Sequence, residues 1–458
     1  MLHKLIKSQY HKWLIFVASS LAFGTIMLDE TVVATALPTI QKELSMSLVT
    51  SHWVINSYLL VIAGFIAVCG KMGDIIGYRT LFTSGVIIFA VASLAAGFSE
   101  STAMLITTRA VQGLGAAVIF PASMAIMGII FPPSQRGFAM GIYGAIGSVM
   151  LGTGPLLGGY FTDEISWRWI FWINVPVAVF TIYVFLSLWK EPSFNTPRPK
   201  IDTLGLITLV LGTGTLVLAI MQGADWGWHS GIIISLFISA TIFLLMFSFI
   251  ELRVKQPLIE LDLFSSGTFS SANLLIYTGQ FTKTAVFVFG ALYFQQILKM
   301  DPLKAGLALM PAMIPVPITC LIAGKATDRF GPRKPSLIGL LIGSISLILM
   351  GMTTGTGSYS LLIPTLFVWG ASMPFIFAPA LVAIMNSVPN EKQGQASGIV
   401  LTAQIMGASV GLAILSAVLI EFNNFKAVFL TIGFFAAFST VVGWYYLDPK
   451  GTLKEADQ

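Results

Sequence analysis

Charged side chains are scarce in this chain. Asp, Glu, Lys and Arg make up 10% of its 458 residues, against about 25% in an ordinary soluble domain. Hydrophobic residues make up 56%, which leaves too little polar surface to coat a water-soluble fold of this size. Cysteine is nearly absent: Cys69 and Cys320 are the two, and both fall near the ends of apolar runs, which argues against a structural disulfide. The four histidines, His3, His11, His52 and His229, lie at the terminus, at a run's end or in a loop, so imidazole is a poor candidate for carrying charge through the interior. No Cys/His cluster has the spacing of a metal site, and no nucleophile–base set suggests an enzyme. Gly70-Lys71 and Gly324-Lys325 are followed by Met72 and Ala326, not by Ser or Thr, so a nucleotide-binding loop is missing and ATP hydrolysis is not the energy source. No cofactor is implied.

Long apolar blocks fill the chain instead. A helix that crosses a bilayer needs roughly 17–25 apolar residues. Fourteen runs qualify: 13–38, 49–69, 80–98, 102–130, 138–161, 169–188, 204–222, 231–250, 268–296, 305–323, 335–353, 359–386, 398–420 and 427–447. Lys and Arg accumulate in cytoplasmic loops, and an even number of spans puts both termini on one side. Segments on that side carry eighteen Lys or Arg, while the opposite loops carry five, Lys42, Arg168, Lys299, Lys304 and Lys426. Both termini are therefore expected in the cytoplasm. The net charge of +5 follows from this bias and needs no nucleic-acid partner. Trp53, Trp167, Trp226, Trp228 and Trp444 sit near run ends, as interfacial anchors do. The first run is too long and too acidic for a cleaved signal, so it reads as an uncleaved span.

Two loops echo each other. Gly70-Lys71-Met72-Gly73-Asp74-Ile75-Ile76-Gly77-Tyr78-Arg79 follows the second run, and Gly324-Lys325-Ala326-Thr327-Asp328-Arg329-Phe330-Gly331-Pro332-Arg333 follows the tenth. Gly, Lys, Asp, Gly and Arg match at a constant offset of 254 (70 to 324, 79 to 333). A second echo, Pro133-Ser134-Gln135-Arg136 against Pro389-Asn390-Glu391-Lys392, has an offset of 256. Two homologous halves are implied, with a substrate path between them near mid-membrane. The matched loops are eight runs apart, so six-helix halves leave 204–222 and 231–250 as an extra pair. Lys190 to Asp202, with Pro192, Pro197 and Pro199, reads as a cytoplasmic linker, and Glu251 to Phe264 as a second one at the membrane surface. The expected division is 1–190, 191–264 with the extra pair, 265–448, and a cytoplasmic tail over 449–458.

These segments resemble the major facilitator superfamily, and within it the fourteen-span drug:proton antiporters. Gly-x-x-x-Asp-x-x-Gly-x-Arg is general to the superfamily. Leu28-Asp29-Glu30-Thr31-Val32-Val33 through Ala36-Leu37-Pro38 resembles the first-span signature of the fourteen-span group. Arg109-Ala110-Val111-Gln112-Gly113-Leu114-Gly115 is similar to the fourth-span motif, and Gly147 through Gly154-Pro155-Leu156-Leu157-Gly158-Gly159 to the antiporter motif. Trp167-Arg168-Trp169-Ile170-Phe171 with Asn174 and Pro176, and Pro257-Leu258 leading to Leu263-Phe264, also fit. The resemblance implies an all-α membrane protein with the major facilitator fold: two six-helix bundles, two extra linking transmembrane helices, and no catalytic residues.

Carboxylates inside a span are costly and usually face water or a partner charge. Asp29 and Arg109 each lie about seven or eight residues from the outer end of their runs, roughly 10–13 Å deep, so they are expected to form one unit. Burial favours the neutral carboxyl and the guanidinium favours the ionised one, a balance suited to taking up and releasing a proton; a static ion pair is the plainer alternative. Glu30 points about 100° away from Asp29. It is either a second proton ligand or a hydrogen-bond partner of a group such as Asn56. Asn273, Tyr277, Gln280 and Thr284 share one helical stripe with Lys283 beside it, which reads either as a cavity wall or as contacts to neighbouring helices. With Asn56, Tyr58 and Gln112, the residues Asn273, Tyr277, Gln280 and Lys283 are the candidate substrate contacts, and Lys283 allows an anionic or zwitterionic substrate. Gly154, Pro155, Gly158 and Gly159 make a helix that packs closely and bends, its freed carbonyl re-satisfied by neighbours. Together with these four, Gly70, Asp74, Gly77, Arg79, Asp328 and Arg333 are the candidate conformational switch; Asp74 is expected to pair with Arg79 or Arg136 and to lie near a helix N-terminus. Tyr78 and Ile75 stand where the superfamily often has basic residues, which predicts a weaker switch.

The expected function is proton-coupled export of amphipathic small molecules by a monomer in the cell membrane, with protons and small-molecule substrates as partners. A dedicated exporter or importer of one metabolite, such as a siderophore, and a non-transporting receptor are the alternatives.

Overall fold

Apolar backbone in lipid must satisfy its hydrogen bonds internally, and the α-helix does this within a single segment. The computed structural model describes residues 2–190, 202–254 and 257–449, and no β-strand occurs among them. The helices are α1 (Leu2–Glu43), α2 (Leu48–Ile76), α3 (Tyr78–Gly97), α4 (Thr102–Ile130) and α5 (Pro133–Tyr160). There follow α6 (Trp169–Leu188), α7 (Thr203–Trp226), α8 (Gly231–Glu251), α9 (Gly267–Thr284), α10 (Lys304–Phe330), α11 (Arg333–Thr354), α12 (Tyr359–Asn386), α13 (Gln393–Phe422) and α14 (Phe425–Tyr446). Apart from Lys190, Asp202 and Pro449, the expected proline-rich linker and the expected tail lie outside the described residues.

Thirteen of these helices are long and apolar enough to cross a membrane. The exception is α9, whose Asn273, Gln280 and Lys283 make it polar for a span. It continues through a π turn, Ala285–Phe289, into a last helical piece, Gly290–Gln296, so the run expected at 268–296 is helical but not uniformly α. Polar side chains start several spans: Ser47 accepts from the Thr50 amide, Asp202 from Gly205, Ser230 from Ile233 and Ser266 from Phe269. Each such cap stabilises its helix by about 1 kcal/mol. Gly77 and Gly331 separate α2 from α3 and α10 from α11 at φ of 92° and 76°, a region open to glycine without a Cβ penalty.

The chain divides into two units. The first comprises Met1–Ile130, Ile146–Glu260 and Asn390–Gly398, and the second Phe131–Ala145, Leu261–Pro389 and Ile399–Gln458. The opening turns of α5 thus belong with the second unit and those of α13 with the first. In the first unit α2 packs on α4 and α7, α3 on α4 and α6, and α7 on α8. The extra pair is seated on α2, where Thr213 donates to the Gly64 carbonyl and Val68, Leu209, Phe247 and Leu258 form one apolar cluster. In the second unit α11 packs on α12 and α14, and α9 on α12 and α14. Ile232, Ile238, Ile242, Leu245 and Phe249 of α8 are exposed, as suits a surface that meets acyl chains and not water.

Candidate functional site

In the first unit α1, α2, α3, α4 and α6 converge on one buried polar cluster. Asp29 and Arg109 are each 1% exposed. Arg109 Nη1 donates to Asp29 Oδ2 at 2.7 Å and to Gln112 Oε1 at 2.6 Å, while its Nε donates to the Val54 carbonyl at 3.0 Å. Gln112 lies one helical turn beyond Arg109, on the same face of α4, and its Nε2 donates to Asp29 Oδ1 at 3.0 Å. The guanidinium also lies 4.2 Å over the ring of Tyr58, a stacking suited to Arg. Every contact to the carboxylate comes from a donor, which suits the ionised form.

Two residues that sequence reasoning did not assign complete the cluster. Ser93 of α3 and Asn174 of α6 are fully or almost fully buried. Ser93 Oγ donates to the Phe171 carbonyl at 2.8 Å and accepts from Asn174 Nδ2 at 3.1 Å and Gln112 Nε2 at 3.4 Å. Asn174 was visible only as part of a family pattern, and a lone serine in an apolar span carries no signal. Among the described residues, the Tyr58 hydroxyl and Asn174 Oδ1 find no hydrogen-bond partner, and both are buried.

Glu30 departs from one of its expectations. Its side chain is exposed, and among the described residues no hydrogen bond links it to Asn56, which is half-buried. The α9 stripe also divides. Asn273 is 6% exposed and donates to the Phe269 carbonyl of its own helix, whereas Tyr277, Gln280 and Lys283 are half-buried. Tyr277 packs edge-on against Phe281 and near Phe435. Lys283 immediately precedes the last residue of α9 and the π turn.

On α5, Gly154 and Gly158 face α1: a Cβ at either would collide with the hydroxyl oxygen of Thr31 or Thr35. Pro155 is exposed and Gly159 has nothing near its missing Cβ, so only two of the four small residues are set by packing.

The echoed loops do the same thing twice. Asp74 Oδ1 and Oδ2 accept from the backbone amides of Gly394 and Gln395 at 3.3 and 3.2 Å, at the start of α13. Asp328 accepts from Gly137 and Phe138 at 2.8 Å each, at the start of α5. A carboxylate at a helix N-terminus satisfies orphan amides and meets the positive end of the dipole. The expected pairing of Asp74 with Arg79 or Arg136 does not form. Arg79 donates to the Leu186 carbonyl, and Arg136 to the Met385 carbonyl and Asn386. Tyr78 donates its hydroxyl to Asp74, so the residue that departs from the family pattern supplies a neutral donor in place of a cation. Arg333 matches Arg79 by donating to the Trp444 carbonyl.

Glycine makes these contacts close. A Cβ on Gly70 would lie 2.6 Å from the Gly394 carbonyl oxygen and the Gly398 Cα, and one on Gly324 would strike the Gly137 carbonyl. Gly137 and Gly141, like Gly394 and Gly398, are four apart on their helices, a small-x-x-x-small pattern that lets backbones touch and that sequence reasoning missed. The bonded amides are offset by 257 (137 to 394, 138 to 395), one more than the 256 read from sequence. A 3-10 turn, Asn390–Lys392, precedes α13. The second linker is also tied down: Glu251 accepts from the amides of Leu258 and Ile259, and Glu260 pairs with both Lys71 and Lys392. Cys69 and Cys320 are free and buried.

The family model described as Major Facilitator Superfamily matches residues 19–282 and again 271–458. The chain is 31% identical over 407 residues to the multidrug resistance protein Stp of Mycobacterium tuberculosis, covering 89% of this chain and 75% of that one. It is 31% identical over 408 residues to multidrug resistance protein 3 of Bacillus subtilis, covering 88% and 79%. It is 29% identical over 411 residues to the tetracenomycin C resistance and export protein of Streptomyces glaucescens, covering 89% and 76%. Among solved structures, the proton:xylose symporter XylE superposes with a TM-score of 0.68 at 14% identity, over 97% of this chain and 98% of that one. The human organic anion transporter MFSD10 gives 0.68 at 14% identity over 95% and 99%; at such identities the likeness speaks for the fold alone. By sequence and by fold, the chain belongs to the Major Facilitator Superfamily and is a multi-pass membrane transporter, not an enzyme.

Proposed function

We propose that this transporter is a proton-coupled antiporter that exports amphipathic small molecules by alternating access, with fourteen spans, two six-helix halves joined through the α7–α8 pair, and both termini in the cytoplasm. The names of the relatives, multidrug resistance and export proteins, support export. The Lys and Arg bias supports the orientation.

The observation that carries the coupling is the Asp29–Arg109 pair, buried and in contact at 2.7 Å. Such a pair holds together only while both charges are present; losing one costs about 3–5 kcal/mol in a buried setting. The carboxylate receives a hydrogen on each oxygen, from Arg109 on Oδ2 and from Gln112 on Oδ1. A proton arriving at Asp29 therefore competes with Arg109, and neutralising the acid frees the guanidinium. Protonation from outside drives substrate release there, and proton loss inside restores the pair and admits the next substrate. The unpartnered Tyr58 hydroxyl is a hydrogen-bonding point for substrate beside the pair, and Lys283 selects for substrates that carry an anionic group. One proton crossing 100 mV supplies about 2.3 kcal/mol, roughly a fiftyfold gradient for an uncharged substrate, since about 1.36 kcal/mol is tenfold.

The test uses proteoliposomes loaded with a panel of unrelated amphipathic compounds, with and without an imposed proton gradient. Wild-type protein is expected to move several compounds uphill only with the gradient. Asp29→Asn, folded and inserted, is expected to lose that dependence. Undiminished uphill transport by Asp29→Asn refutes the coupling, and transport of one compound alone favours a dedicated metabolite carrier.

A further inference from the structure

We propose that Ser93 and Asn174 are positioning residues that lock the amide of Gln112 as a donor to Asp29, which favours the ionised acid and denies the protonated one an acceptor in Gln112. The inference rests on the reading of Asp29 as the proton site and goes beyond it by assigning residues on α3 and α6 to proton loading.

The argument is a count of hydrogens. Ser93 has one, and it goes to the Phe171 carbonyl at 2.8 Å. Its oxygen is left with acceptor capacity only, filled by Asn174 Nδ2 at 3.1 Å and Gln112 Nε2 at 3.4 Å. Gln112 must therefore turn its NH2 toward Ser93, and the same NH2 reaches Asp29 Oδ1 at 3.0 Å. Its Oε1 is then aimed at Arg109. A flipped amide would set its oxygen against the oxygen of Ser93 and against the carboxylate.

The lock matters most once Asp29 is neutral. A protonated carboxyl carries one O–H that needs an acceptor. With Gln112 held as a donor to Oδ1, its amide offers that O–H no acceptor, whichever oxygen carries the proton. Arg109 Nη1 sits on Oδ2 at 2.7 Å, so a proton on the acid removes the charge that holds the arginine, and a locked Gln112 resists that loading. Other groups also surround Asp29. Arg109 of α4 is the cation; Tyr58 of α2 lies beneath that cation; α3 and α6 bring Ser93, Asn174 and the Phe171 carbonyl; α5 brings Gly154 against Thr31; and the neighbouring Glu30 is exposed.

Titration of the protonated-carboxyl infrared band of the purified protein tests this with the proton as the only ligand, the Asp29 contribution being the band lost in Asp29→Asn. Without Ser93 the Gln112 amide is free to turn its oxygen to the acid's O–H, which stabilises the neutral form. Ser93→Ala is expected to move the midpoint to higher pH by about 0.5–1 unit. Asn174→Ala should move it the same way by less, and Ser93→Thr should return it toward wild type. Melting temperatures within a few degrees of wild type keep folding out of the comparison. Midpoints unmoved or lowered in both folded variants overturn the lock while leaving Asp29 as a titrating site. If Asp29→Asn removes no band, the lock and the coupling reading fall together.

Discussion

Thr31 of α1 donates its hydroxyl to the carbonyl of Leu151 on α5 at 2.9 Å. Leu151 is four residues before Pro155, and proline has no N–H to give that oxygen. The carbonyl that Pro155 leaves without an amide is thus bonded by a side chain two residues from Asp29, on the same helix as the proposed proton site. The packing that surrounds α5 and the chemistry on α1 share one hydrogen bond.

That bond has a signature in paired variants. Thr31→Val leaves the Leu151 carbonyl buried without its donor, an expected loss of about 1–3 kcal/mol in unfolding free energy. Pro155→Ala returns the helical N–H, so Thr31→Val in that background should cost much less. Thermal unfolding of the four proteins in detergent reads the coupling, and strictly additive losses would show that the hydroxyl does not stand in for the missing amide.

The small residues of α5 separate by what faces them. Gly154→Ala and Gly158→Ala drive a methyl into Thr31 and Thr35, with expected losses of about 1–3 kcal/mol and impaired transport. Gly159→Ala meets nothing and should match wild type in both. Equal sensitivity at the three positions would point to a need for flexibility in place of close packing.

At the start of α13, Asp74→Asn keeps the shape but loses the charge that two amides and the Tyr78 hydroxyl bond. Bonds to a charged group are worth about 1.5–3 kcal/mol and a neutral one about 1. Transport should therefore fall roughly tenfold or more in Asp74→Asn and only a few-fold in Tyr78→Phe, measured as initial rates in vesicles. A larger effect from Tyr78→Phe would reverse the assigned order of importance.

Lys283→Ala is expected to alter substrate preference and spare coupling. Vesicle assays with an anionic and a cationic dye of similar size should show the anion losing about tenfold more than the cation. Equal losses for both dyes would mark Lys283 as structural.

The chain's own pattern announced a good deal. Long apolar runs with a handful of charges have no alternative to membrane helices, so the order of α1 to α14 follows from composition and length. Asp29 and Arg109 were legible because charges inside such runs are rare enough to single out. The matched Asp74 and Asp328 loops were legible as a repeat because five residue types recur at one spacing. Harder to see was what each carboxylate touches. Partners of Asp74 were sought among cations, and they turned out to be the Tyr78 hydroxyl and two backbone amides, the latter carrying no letter in a sequence. The glycine pairs 137/141 and 394/398 were readable in principle, but nothing along the chain says which helix they meet.

What the sequence determined by itself was solvent and secondary structure, because the hydrophobic content of a run and its length decide these locally. Tertiary structure alone decided direction and partnership. It turned Glu30 to the exposed side while its neighbour Asp29 was buried, brought Asn174 onto Ser93 from eighty-one positions away, and set Thr31 against the carbonyl that Pro155 leaves open. Those outcomes depend on which faces of separate helices meet, and contact between residues eighty or more positions apart is a property of packed volume that no local run of letters encodes.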